Sequence, residues 1–128
     1  MTFKQQAMTR EEMKARLRRF AIRIIKMVDS MPNTIAANAI ARQVIRSGTS
    51  PSANYRAACV GKSDRDFLNK LKMCEEELDE TAHWLDLIIE SEILPKERMM
   101  DLYNENLELV KIIVASIKTM RTKISQDY

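Results

Sequence analysis

Met13, Leu17, Phe20, Ile24, Met27 and Met31 recur at steps of four and three, an apolar stripe along one side of a helix. That helix is expected over Thr9 to Ser30 and stops at Met31-Pro32, because a residue before proline avoids the α region. Asn33 or Thr34, either a good N-cap, opens a second segment that runs past Ile40 and Val44 to Val60, where Gly61 closes it. Ser63 with Asp64 and Asp66 suits a third helix start. Phe67, Leu71, Cys74, Leu78, Thr81, Leu85 and Ile88 then keep heptad a/d spacing until Leu94-Pro95 breaks the pattern. Pro95 or Lys96 starts a fourth, with Met99, Leu102, Asn106, Leu109, Ile113, Ser116, Met120 and Ile124 in the same rhythm. Four amphipathic helices with short links predict an all-α, antiparallel up-down-up-down four-helix bundle.

One stretch resists that rhythm. Arg46–Ala58 reads R-S-G-T-S-P-S-A-N-Y-R-A-A, a concentration of poor helix formers in mid-chain. If the segment stays helical, Ser47, Ser50 and Asn54 share a face, and Gly48 and Ser52 form a small-x-x-x-small pair beside them. Small residues admit a neighbouring backbone, and hydroxyls and amides bond across the contact. Pro51 removes the hydrogen bond to the Ser47 carbonyl, so a kink is expected there. Ser47, Gly48, Thr49, Ser50, Asn54 and Tyr55 are therefore expected to hold a tight helix crossing, with Trp84 as a core or interface anchor. A phosphate cradle is the rival reading, but no G-x-x-x-x-G-K-[ST] spacing is present.

The whole chain, 128 residues, is expected to form one domain with a short flexible N-terminus over about residues 1–8. Its 45% hydrophobic and 30% charged residues exclude wholesale disorder, and two Gly with three Pro are too few for a many-turned sandwich. No apolar run reads as a signal peptide or a membrane span, so a cytoplasmic protein with no membrane partner and two reduced thiols, Cys59 and Cys74, is expected.

The Arg46–Ala58 stretch, followed by S-D-R-D-F-L-N-K-L-K-M-C-E-E-E-L-D-E-T-A-H-W-L-D-L-I, resembles the bacterial four helix bundle protein family, whose founding members are encoded by intervening sequences within 23S rRNA genes. The similarity covers about residues 12–122. It implies a small non-enzymatic protein that assembles as a homopentamer. There is also a distant similarity to the accessory variability proteins of diversity-generating retroelements, pentamers that bind nucleic acid and a reverse transcriptase. A third reading is an obligate partner of a neighbouring gene product, such as a polymerase. Members often carry Glu where this chain has Ala57, so no contact is assigned to an acid at that position.

Charge is unevenly laid out. Residues 1–28 hold eight Lys or Arg against two Glu, a balance of +6, whereas residues 73–108 hold twelve Asp or Glu against Lys96 and Arg98, a balance of −10. Arg16, Arg19, Arg23 and Lys26 form one stripe, and Arg42, Arg46 and Arg56 a second row. These seven are the candidates for RNA or DNA contact; the rival reading pairs them with the acidic third helix, in the same chain or a neighbour. Few aromatics interleave with them, which argues against sequence-specific reading. The remaining chemistry is thin. Glu80-Thr81-Ala82-His83 is an E-x-x-H, but a di-metal bundle site needs two such units and His83 is the only histidine. Cys74 lies on the apolar stripe, and the run Glu75 to Glu80 fans around its helix. No catalytic residue, metal or cofactor is assigned. A small-molecule or metal-dependent enzyme with its site in the bundle core stands as the alternative to an oligomeric scaffold.

Overall fold

Three of the four helices begin where a side chain satisfies a free amide. The computed structural model describes residues 8–126. The expected flexible stretch over about residues 1–8 lies outside them, except for Met8, which is half-buried against the core. α1 (Arg10–Asp29) starts with a capping box: the Thr9 hydroxyl accepts from the Glu12 amide, and the Glu12 carboxylate accepts from the Thr9 amide, both at 3.1 Å. Thr34 caps α2 (Ile35–Cys59) and Ser63 caps α3 (Asp64–Glu90) in the same one-sided way. α4 spans Lys96–Gln126, directly after Pro95.

The four helices pack in chain order around one core, each against its sequence neighbour, which is the expected all-α up-down-up-down bundle. α1 also meets α4, but touches it far less than it touches α2. The α1 stripe is buried from Met13 to Met27, and all seven a/d positions of α3 from Phe67 to Ile88 are buried. In α4 the stripe drifts: after Ile113 the buried residue is Ile117, with Ser116 at the boundary. A straight helix of 3.6 residues per turn slips against a strict seven-residue repeat, so the step there becomes four.

Two helix ends depart from expectation. Gly61 does not adopt the left-handed conformation; α2 ends at Cys59, near the expected boundary, with Val60 as its cap, whose amide bonds the Ala57 carbonyl at 3.3 Å, and the Gly61 amide bonds the Ala58 carbonyl at 3.0 Å. α3 stops at Glu90, before Leu94-Pro95 is reached. Glu92 takes φ 60°, its amide bonds the Ile89 carbonyl, and the Ile93 amide reaches back to Ile88, each at 3.1 Å. This is a Schellman closure with glutamate in the position that favours glycine.

Candidate functional site

The Arg46–Ala58 stretch is helical throughout, Pro51 included, and it serves two neighbours at once. Toward α1 it presents Gly48. A methyl group on that residue would lie 2.7, 2.9 and 3.0 Å from the Cγ1, Cγ2 and Cδ1 atoms of Ile24, so the missing side chain sets the α1–α2 approach. Toward α3 it presents polar groups. Ser47 and Thr81, both fully buried, place their hydroxyls 2.9 Å apart, and Thr81 Oγ1 also lies 2.8 Å from the Glu77 carbonyl. Asn54 Nδ2 donates to Glu77 Oε1 at 2.8 Å, and Arg46 donates to both carboxylate oxygens of Glu80 at 3.0 and 3.2 Å. Thr49 and Ser50 spend their hydroxyls on the Ile45 and Arg46 carbonyls, both at 2.6 Å. Ser47, Thr49, Ser50 and Asn54 thus spend their side-chain donors within the bundle, which counts against a phosphate cradle built from them.

Burial shifts the titrating groups at this crossing upward. Burial pushes the Cys74 thiol up to about 12, and its Sγ lies 3.6 Å from the Pro51 carbonyl oxygen. A thiol so held is a packing group with almost no thiolate at neutral pH. Burial also raises the Glu77 carboxyl above its usual range, partly offset by the Asn54 amide. Tyr55, raised to about 12 mainly by burial, sets its ring edge-on to Phe67 at 6.0 Å, and the Arg10 guanidinium caps the other ring 4.0 Å from its centroid. Three helices are thereby tied together at that end of the bundle.

Trp84 is half-buried against the core, with His83 edge-on at 5.0 Å; its Nε1 is buried without a hydrogen-bond partner among the described residues. The E-x-x-H unit is split, since Glu80 is bound by Arg46 while the His83 ring is exposed on Trp84. Among the described residues no three His, Cys, Asp or Glu side chains come together as metal ligands do.

The seven basic candidates separate into two groups. Arg16 makes a two-pronged bond to Glu105 of α4, Nε to Oε2 at 2.8 Å and Nη2 to Oε1 at 2.7 Å. That partner holds the Glu105 carboxyl below its usual range, with smaller help from Arg23 and Arg19. Arg46 is engaged with Glu80. Arg19, Arg23, Lys26, Arg42 and Arg56 are exposed and form no ion pair among the described residues. Arg23 and Lys26 share a cleft at the α1–α4 seam with a residue outside the sequence candidates, Arg98. The signal for Arg98 is the helix register. From the Arg16–Glu105 bridge, seven residues forward on α1 and seven back on antiparallel α4 bring Arg23 opposite Arg98.

The family model for 23S rRNA-intervening sequence proteins matches residues 11–115. Among solved structures, a protein of unknown function from the S23 ribosomal protein family of Bacteroides thetaiotaomicron VPI-5482 is similar, with 33% identity and a TM-score of 0.79, over 85% of this chain and 97% of that one. No curated protein matches the chain.

Proposed function

Because the chain belongs to the 23S rRNA-intervening sequence protein family, we propose that it acts without catalysis, as a cytoplasmic self-assembling scaffold or adaptor that holds RNA or DNA on its basic surface. The carrying observation is the division among the arginines. Arg16 and Arg46 are consumed by carboxylates, while Arg19, Arg23, Lys26, Arg42 and Arg56 keep their charge available. Arg23 and Lys26 lie at the α1–α4 seam and Arg56 in a separate cleft between α1 and α2, so the support is a set of exposed unpaired cations, the footprint of contact with phosphates, which makes affinity fall with salt. Binding of single- and double-stranded RNA and DNA, measured across salt concentration, tests this. Absence of binding at about 50 mM salt, or binding without a salt slope, refutes it.

Self-association into the homopentamer that the family resemblance implies is supported by apolar side chains left outside the core. Ile22 and Ile25 on α1 are each 41% exposed, and Met73 and Leu87 on α3 and Leu107 on α4 also face outward. Basic α1 and acidic α3 lie on one chain, so a head-to-tail contact between copies would join opposite charges, and such contacts close into rings. Repeating a modest cationic patch around a ring turns weak contacts into avid ones. Light scattering that finds only monomer across micromolar concentrations sinks the assembly.

The alternative of an enzyme with a site in the bundle core fits the polar core poorly. Ser47 and Thr81 bond each other, and Asn106 Nδ2 donates to the Leu78 carbonyl at 3.0 Å, so these groups brace helices.

A further inference from the structure

We propose that the cleft between the end of α1 and the start of α4 is the seat for a backbone phosphate of single-stranded nucleic acid, gripped by Arg23, Lys26 and Arg98. The inference rests on the polyanion reading above and gives it a location and a substrate class.

The register makes Arg23 and Arg98 face each other two turns from the Arg16–Glu105 bridge. At the bridge, a cation on α1 meets a carboxylate on α4; at the cleft Arg23 meets Arg98, with the Glu105 carboxylate, already bonded to Arg16, as a weaker electrostatic neighbour of Arg23. Like charges opposed across a helix pair repel. Lys26 adds a third positive charge to the same cleft, and none of the three forms an ion pair among the described residues. An anion bridging them converts that repulsion into charge-assisted bonds. α1 and α4 make fewer close backbone approaches than the other neighbouring pairs, and the cleft opens along that seam.

Size and floor narrow the ligand. The cleft is about 240 Å³, below the 300–1,000 Å³ range of small-molecule pockets. It suits one unit of a polymer better than a whole cofactor. Beneath the charges lie Met27, Leu94, Met99 and Leu102, all buried apolar side chains. A duplex offers phosphates but keeps its bases inside. An unpaired strand can lay a sugar or splayed base on that floor while its phosphate meets the arginines.

The test uses the full chain and a labelled single-stranded oligonucleotide, a duplex of equal length, and fluorescence anisotropy over a salt series. Variants are Arg98→Ala, Arg98→Glu and, as a charge-matched comparison outside the cleft, Lys118→Ala. Removing one phosphate contact should lower the log–log salt slope by about 0.7 and weaken single-strand binding about fivefold at 0.1 M salt. Arg98→Glu places a carboxylate opposite Arg23, so thermal stability should hold or rise while binding falls further; a folding defect would lower both. Lys118→Ala should change the slope little. The seat is overturned if wild type binds with a salt slope but the Arg98 and Lys118 variants behave alike, or if duplex binds as well as single strand. If wild type binds no polyanion at all, the broader reading fails with it.

Discussion

Replacing Gly48 with alanine probes the closest approach in the bundle. Gly48 lies in the interior of α2 without a positive φ, so helix propensity favours the change by about 0.5–1 kcal/mol. The new methyl, however, would stand 2.7–3.0 Å from three Ile24 carbons, where contact normally falls at roughly 3.5–4.0 Å. Ile24 is fully buried and β-branched in a helix, so its χ1 has little freedom to swing aside. Either α1 and α2 separate or the side chain leaves its rotamer, an overpacking cost of about 1–3 kcal/mol. The expected net is a loss of about 1 kcal/mol, small enough that the single variant does not isolate the contact. A double-mutant cycle does. Ile24→Ala removes all three clashing carbons and should itself cost about 2–5 kcal/mol. In that background Gly48→Ala meets no obstacle and should stabilise by about 1 kcal/mol, a coupling of about 2 kcal/mol. Urea unfolding followed by far-UV circular dichroism, at one fixed protein concentration because assembly shifts apparent stability, reads all four proteins. Additivity within about 0.5 kcal/mol, or a stabilising Gly48→Ala in wild type, would falsify the close α1–α2 contact at this residue.

Three further outcomes are expected. Glu92→Gly should stabilise by about 0.5–1 kcal/mol, since it relieves a left-handed glutamate at the α3 closure; an unchanged or lower midpoint in thermal unfolding contradicts that account. Asn106→Leu should change stability by less than about 1 kcal/mol, because it removes a buried Oδ1 without a partner among the described residues but also the Nδ2 bond to the Leu78 carbonyl; a loss above about 2 kcal/mol shows that the oxygen is satisfied in solution. Glu105 ionises more readily in the fold than its ordinary 4.5, so it adds stability above about pH 4.5 that disappears as pH falls through the lower folded value. Glu105→Gln should therefore be less stable at neutral pH and should flatten the acid limb. Equal pH profiles for the two proteins would show that the Arg16 bridge contributes nothing in solution.

The amphipathic first and third helices were readable because burial repeats locally. Met13 through Met27 and Phe67 through Ile88 declare their faces in their own spacing, and Thr9, Thr34 and Ser63 declare their helix starts. Glu92 gave no such warning, since glutamate is not a left-handed signal and the neighbouring Pro95 drew the boundary too late. The odd composition of Arg46–Ala58 identified a close crossing, but not that Gly48 turns to α1 while Ser47 and Asn54 turn to α3.

Charge is where the limit falls. Spacing along one helix placed Arg16, Arg19, Arg23 and Lys26 in a single row with nothing to tell them apart. Which of them is neutralised depends on what α4 brings opposite: Glu105 to the first, Arg98 to the third. Hydrophobic periodicity is a property of each helix by itself, so the sequence determined the bundle and its core. Electrostatic pairing is a property of two helices in register, and only the packed structure decided which cations remain free.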